Sequence, residues 1–246
     1  MASGIRDSAY VFISRIGLLV FGIANQSCLA WFLGPADRGA FAVCLLYTTL
    51  LLVFFVVGCD VASVYFVSSK RMNISEGIIH TLIYGGAGSI VAMTVGWCLT
   101  QLPVEYFSKA TQSQFNIALI TIPTTLFSLV LSRLLTAVNR FKVFSILTLI
   151  GSLLQLALTF VFIKLFGWGV EGAFGAIIAG GVVMITINLS YFRRKLGFGW
   201  VSPSWQSLKE MLHYGLRYYV GKISNQVSTG CPTQGVSSAE AEPIAT

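Results

Sequence analysis

Three ionisable side chains lie within apolar stretches of the sequence that are long enough to cross a membrane: Arg15, Asp60 and Arg133. Ionisable groups in such a segment are costly, and they usually face protein or water. A guanidinium binds phosphate oxygens through two parallel hydrogen bonds, so the arginines indicate an anionic ligand. The alternative is structural. Each arginine lies near one end of its stretch, where a long side chain reaches the lipid headgroups, and Asp60 is then a structural partner of either arginine.

A stripe of polar residues runs along one face of the first apolar stretch. At 100° per residue, Arg15, Gly22 and Gln26 fall within about 40° of one another, and Asn25 lies beside them. The stripe adds two amides to the cationic side chain. We therefore predict that a ligand contacts the following residues: Arg15, Asn25, Gln26, Asp60 and Arg133.

The sequence contains few of the residues that catalysis or metal binding would require. The only histidines are His80 and His213, and none of the five cysteines forms a Cys-x-x-Cys pair. A hydrolase triad or a structural zinc site would need imidazole or paired thiols at short spacing. We predict no enzyme activity, no metal and no cofactor, and we expect His80 to be an interfacial residue.

The composition is that of a membrane protein. Of the 246 residues, 55% are hydrophobic and 10% are charged, whereas soluble domains carry about 25% charged residues. A helix needs about 20 apolar residues to cross a bilayer, and the uniformly apolar runs do not alternate as barrel strands do. Six runs qualify: 9–33, 40–67, 78–100, 115–138, 143–165 and 170–192.

The expected fold is an all-α, polytopic membrane helix bundle with six transmembrane helices plus an incomplete seventh. Residues 1–195 form the bundle, 196–209 a cytoplasmic connector, and 210–227 the start of a seventh span. Residues 228–246 contain no aromatic and no basic residue, so we expect disorder there. Because membrane character stops within an unfinished span, we hypothesise that this tail is out of frame or otherwise non-native.

Basic residues predict the orientation, because they are retained on the cytoplasmic side. With the N-terminus in the cytoplasm, three basic residues lie in outer loops: Arg38, Lys109 and Lys164. Eleven lie at cytoplasmic ends: Arg6, Arg15, Lys70, Arg71, Arg133, Arg140, Lys142, Arg193, Arg194, Lys195 and Lys209. This bias accounts for the net charge of +7 without a nucleic-acid partner, and it indicates contact with membrane lipids.

Three glycine-containing stretches carry a family resemblance. They are FLGPADRGAFAV at 32–43, where Gly34 and Pro35 predict a hairpin loop, VGCDVASVYFVSSKR at 57–71, and FGWGVEGAFGAIIAGG at 166–181. Over about residues 8–227 the chain resembles the N-terminal half of Wzx-like oligosaccharide flippases of polysaccharide biosynthesis. These belong to the superfamily that includes multidrug-and-toxin extruders and lipid II flippases. We expect the glycines of the third and sixth helices to allow close helix packing.

The resemblance implies two six-helix bundles with a cavity between them, of which this chain supplies one. It implies a transporter, or a truncated half of one, that flips undecaprenyl-pyrophosphate-linked oligosaccharide across the bacterial inner membrane for O-antigen or other surface polysaccharide. The implied partners are this lipid-linked oligosaccharide, polysaccharide polymerase or assembly proteins, and a second copy in a homodimer. Two alternatives remain: a cation-coupled multidrug extruder, and a non-transporting membrane assembly partner.

Overall fold

The computed structural model is helical and contains no strand over the residues it describes: 2–56, 59–101, 111–195, 209–215 and 217. Side chains are described for 12–55, 61–101, 111–195, 209–215 and 217. The helices are α1 (Ala2–Val56), α2 (Cys59–Ser68), α3 (Ile74–Thr100), α4 (Gln112–Ala137), α5 (Phe141–Phe160) and α6 (Gly169–Lys195), and a π-helical turn (Val161–Leu165) extends α5. In the described part of the chain, five segments are long and apolar enough to cross a membrane. The predicted all-α membrane bundle is thus confirmed.

The first of these five segments contains two spans. It covers 44 residues, which would be about 66 Å of straight helix, roughly twice the bilayer core. The backbone leaves helical geometry at Gly34, with φ 75° and ψ 173°. Leu29 before this kink and Leu45 after it line one cavity, so α1 doubles back. We call residues 2–33 its first arm and residues 35–56 its second arm.

The hairpin is tighter than the loop predicted from FLGPADRG. Gly34 alone departs from helical geometry, and the second arm is helical from Pro35 onwards. Proline suits the first position of a helix, because its fixed φ is helical and its missing N–H would have no partner there. Asp37 and Arg38 therefore lie in the first turn of a helix rather than in a loop.

Replacing Gly34 by alanine is expected to destabilise the bundle by about 1–3 kcal/mol, because a side chain at this φ and ψ is strained. Apart from its two chain neighbours, no described residue places an atom within 4 Å of an added Cβ, so a clash would not contribute. The measurement is the free energy of unfolding in mixed detergent. Gly39→Ala is the matched control. Gly39 is helical and also has open space, and we expect no loss there. Equal stability of the two variants would contradict the role of Gly34.

α4 lies at the centre of the bundle, in contact with α1, α2, α3, α5 and α6. It begins at Thr111, whose N–H donates to the side-chain oxygen of Gln114 at 3.0 Å. α3 begins in the same way at Asn73, whose N–H donates to the Glu76 carboxylate at 3.2 Å. Buried side chains, among them Phe115, occur along α4 from its start to its last turn, as expected for a helix with neighbours on several sides.

The glycines act through close packing, as predicted. A Cβ on Gly88 of α3 would lie 3.0 Å from the carbonyl oxygen of Phe55, and one on Gly172 of α6 would lie 3.1 Å from that of Phe162. These neighbours are backbone atoms, which cannot rotate away. The absence of a side chain therefore sets how closely α3 approaches the second arm and α6 approaches the π-helical turn.

Residues 209–215 are helical and pack against α2. The Tyr214 ring stacks on that of Tyr65, with centroids 4.4 Å apart, and Met211 is buried in a cluster with Phe66. The remainder of the predicted seventh span, most of the 196–209 connector and the 228–246 tail lie outside the described residues. Those assignments stay predictions.

Candidate functional site

A cleft of about 480 Å³, with a mostly apolar lining that includes Leu18 of the first arm, opens between α4, α5 and α6. We call it the α4–α6 cleft. Arg133 lines it near the end of α4, and Gly180 and Gly181 of α6 line the opposite wall. Six neutral polar side chains from α4 and α5 also line it: Thr125, Ser128, Ser132, Thr148, Ser152 and Gln155. A guanidinium and hydroxyls are groups that can bind a polar ligand, and within an apolar bundle such groups usually face protein or water.

Helical periodicity places these side chains on common faces. On α4 the polar residues recur at spacings of three and four, at Thr125, Ser128 and Ser132, and α5 repeats the pattern at Thr148, Ser152 and Gln155. The sequence reasoning missed all six. The rotation of 100° per residue that identified the polar face of the first helix also places these residues on one face of the fourth helix and one face of the fifth.

The hydroxyls donate to their own helices. Ser132 Oγ donates to the Ser128 carbonyl at 2.7 Å, and Thr148 Oγ1 donates to the Phe144 carbonyl at 2.7 Å. Ser152 Oγ donates to the Leu149 carbonyl at 2.9 Å. Each hydroxyl oxygen retains acceptor capacity. The walls of the cleft therefore contain hydroxyl oxygens that can accept hydrogen bonds, and Arg133 lines the cleft near the end of α4.

A buried side-chain amide on α6 donates a hydrogen bond to a serine in the α4 wall of the cleft. Asn188 of α6 is fully buried. Its Nδ2 donates to Ser132 Oγ at 3.3 Å and to the Met184 carbonyl at 2.8 Å. Ser132 is thus held between two helices, which fixes one polar group of the cleft beside Arg133.

A second, smaller cavity of about 260 Å³ lies between both arms of α1 and α5 and α6. We call it the inner cavity. Asn25 and Gln26 of the first arm line it together with Gln155 and Thr159 of α5. Asn25 Oδ1 is buried and has no hydrogen-bond partner among the described residues. The structure thus brings together two residues predicted for the site, and it adds two that were not predicted.

A third cavity, of about 490 Å³, runs along the outer face of the first arm. We call it the first-arm groove. Leu18, Gly22, Gln26 and Ala30 line it, and Arg38 of the second arm closes one end. The predicted alignment of Gly22 with Gln26 is confirmed. Arg15 is exposed and lies one turn before Leu18, outside the lining of all three cavities.

The three cavities adjoin one another. Gln155 and Ile177 line both the α4–α6 cleft and the inner cavity, Gln26 lines both the inner cavity and the first-arm groove, and Leu18 lines both the groove and the cleft. The three cavities therefore neighbour one another beside the first arm. Among the described residues, the linings of the cleft and the groove contain one cation each, and none of the three linings contains a carboxylate.

Two further predicted residues have different outcomes. Asp60 belongs to α2, but its side chain lies outside the described part of the chain, so its pairing with an arginine stays a prediction. His80 is completely buried, and its Nδ1 lies 2.7 Å from the Glu76 carbonyl oxygen. It lies in the second turn of α3, and its position at the membrane interface stays a prediction. The described residues contain no group of three or more His, Cys, Asp and Glu suited to a metal.

The fold is that of known membrane transporters. A MATE protein in the straight conformation is 19% identical, with a TM-score of 0.71 over 92% of this chain and 54% of that one. An outward-facing multidrug resistance MATE family transporter of the MOP superfamily is 19% identical, with a TM-score of 0.68 over 92% and 53%. A MOP superfamily transporter from Pyrococcus furiosus is 21% identical, with a TM-score of 0.66 over 92% and 53%.

The chain thus spans about half the length of these solved structures. A search of curated proteins found no match. The family model described as polysaccharide biosynthesis protein matches residues 5–236, which is nearly the whole sequence. This multi-pass membrane chain therefore belongs to the polysaccharide biosynthesis protein family.

Proposed function

We propose that the chain forms one wall of a transporter that flips undecaprenyl-pyrophosphate-linked oligosaccharide across the bacterial inner membrane, with the N-terminus in the cytoplasm. The supply of O-antigen or another surface polysaccharide would be its purpose. The observation that carries the proposal is the α4–α6 cleft, where Arg133 and a set of hydroxyls line one polar site in an apolar bundle.

The guanidinium of the cleft suits the pyrophosphate of such a substrate, and the hydroxyls of the cleft suit its sugars. A guanidinium binds pyrophosphate oxygens as a planar, two-pronged donor. Sugar hydroxyls can donate to the oxygens of Ser128, Ser132 and Ser152, whose protons are directed to their own helices. Such pairs are stronger in a medium of low dielectric than in water. No covalent step is required, because the transporter only has to favour the polar headgroup inside the bilayer.

A cation-coupled extruder is the competing function. Its site would place a carboxylate toward an organic cation or a coupling ion. The three cavities instead present amides, hydroxyls, Arg133 and Arg38. An organic cation entering the cleft would meet a guanidinium of like charge. This electrostatic argument favours an anionic substrate.

The other wall of the transporter must come from elsewhere. The solved structures that share the fold are about twice as long as the matched region, so a second bundle would complete the cavity. We propose that it is supplied by further polypeptide or by a second copy of the chain, with polysaccharide polymerase or assembly proteins as partners. Alternating access then consists of rocking one bundle against the other.

Binding to the purified chain in detergent tests the proposal. Native mass spectrometry would compare undecaprenyl pyrophosphate with undecaprenol, which has the same lipid chain and no charge. Charged hydrogen bonds contribute about 1.5–3 kcal/mol, so we expect the pyrophosphate to bind at least about tenfold more tightly. Ethidium, a toxic cation, should not displace it. Equal binding of both lipids, or ethidium binding that the lipid does not affect, would refute an anionic site.

A further inference from the structure

The two arginines of the adjoining cavities lie at opposite ends of the bundle. Ser113 at the start of α4 donates to the Glu171 carboxylate of α6 at 2.8 Å. The Asp37 carboxylate also lies at the start of α6, 3.8 Å from a Cβ built on Gly169. The hairpin that carries Arg38 is therefore level with the start of α4. Arg133 lies one turn before α4 ends at Ala137.

The separation matches the thickness of a membrane. Ser113 and Arg133 are twenty residues apart on α4, which is about 30 Å at 1.5 Å per residue. The hydrocarbon core of a bilayer is also about 30 Å thick. Arg38 and Arg133 are thus placed near the two faces of the membrane, one at each end of the cavities that surround the first arm.

The three cavities lie in series between the two arginines, and we call this series the route. The α4–α6 cleft, which Arg133 lines, shares the lining residue Gln155 with the inner cavity. The inner cavity shares Gln26 with the first-arm groove, which Arg38 lines. The described linings are mostly apolar, and they carry no charged side chain between the two arginines. Amides stabilise a passing anion less than a guanidinium does. An anion on this route is therefore held at the ends rather than in the middle.

The acidic neighbour of Arg38 does not occupy the groove. Asp37 directs its carboxylate toward the start of α6, where the positive end of the helix dipole stabilises it. Arg38 lines the groove on the outer face of the first arm. The basic side chain is therefore presented to a ligand, while the acid next to it has a structural role.

We propose that Arg38 is a second anion-binding residue, which receives the pyrophosphate of the lipid-linked substrate at the end of the route opposite Arg133. The inference rests on the proposed function, because it takes the same ligand class. It adds a site where the flipped headgroup is held before release. The lipid chain lies along the apolar side chains of the groove, beside Leu18, Leu19 and Ile23.

The test counts undecaprenyl pyrophosphate molecules bound to the purified chain by native mass spectrometry. The wild type should bind two, since the ends are far enough apart for both to be occupied. Arg38→Gln should weaken one of the two binding steps about tenfold, whereas Arg38→Lys should retain part of it. Lys164→Gln is the matched control at the same end. Its ammonium lies 5.4 Å and 5.1 Å from the ring centroids of Phe32 and Phe160, and we expect no change.

The outcomes separate this inference from the proposed function. If Arg38→Gln binds two molecules as the wild type does, while Arg133→Gln loses one, the second site is refuted and the proposed function stands. If the wild type binds undecaprenyl pyrophosphate no better than undecaprenol, the proposed function fails. Loss of binding in Lys164→Gln equal to that in Arg38→Gln would also refute the second site, because it would show a general effect of charge at that end.

Discussion

Replacing Arg133 by glutamine is expected to weaken the binding of undecaprenyl pyrophosphate to the α4–α6 cleft by roughly 10- to 100-fold. The reason is the loss of a two-pronged, charge-assisted contact, for which about 1.5–3 kcal/mol is typical. The measurement is a titration of the purified chain followed by native mass spectrometry. Undecaprenol should bind the variant and the wild type equally, because it carries no phosphate.

Two further variants make this expectation specific. Arg140→Gln is the matched control, since Arg140 is exposed at the start of α5 near the same end of the bundle. Arg133→Lys should keep part of the affinity, because an ammonium retains the charge but not the planar fork. An Arg133→Gln chain that binds the pyrophosphate lipid as the wild type does would show that the cleft does not hold the anion.

Arg15 provides an internal comparison, because the sequence placed it on equal terms with Arg133. In the structure Arg15 is exposed on the first arm, whereas Arg133 is half-buried and lines the cleft. Because Arg15 also lies outside the linings of the three cavities, it suits the structural alternative, in which the long side chain reaches the headgroups. The sequence indicated a cation near the membrane face at both positions. Only the packing of the helices shows that Arg133 lines a cavity and Arg15 does not.

Much of the fold could be predicted from local signals. Apolar runs of about 20 residues give the spans, and Gly34 followed by Pro35 gives the hairpin because each residue has a backbone preference of its own. The tightness of that hairpin was not predictable. It depends on the second arm starting a helix at once, with Asp37 beside α6, and this is a contact between distant parts of the chain.

The site was harder to predict than the fold. Ser128, Ser132 and Ser152 are common residues in membrane helices, and each hydroxyl satisfies its donor on its own helix. Such residues give no signal of their own. They line a common cleft because α4 and α5 both direct a face with hydroxyl groups toward it. Asn25 and Gln26 were identified because they lie on or beside the helical face that carries Arg15 and Gly22.

Replacing Gly180 by valine is expected to close the junction between the α4–α6 cleft and the inner cavity. A Cβ at this position would lie 2.8 Å from Gln155 Oε1 and 3.7 Å from Leu158 Cδ1. Gln155 would have to turn away, and the branched side chain would occupy the wall of the cleft. Because overpacking excludes a ligand as well as straining the core, we expect binding of undecaprenyl pyrophosphate to fall at least tenfold.

Gly175→Val on the same helix is the matched control for this effect. A Cβ there would meet only the Phe162 ring, at 3.7 Å and 3.8 Å, which is ordinary contact outside the linings of the three cavities. Both variants should fold, since valine is no worse than glycine in a helix, and thermal unfolding in detergent checks this. The double variant Gly180→Val with Gln155→Ala removes the collision and should recover part of the binding. A Gly180→Val chain that keeps full affinity would mean that the headgroup does not pass this junction, and the two arginines would then belong to separate sites rather than to one route.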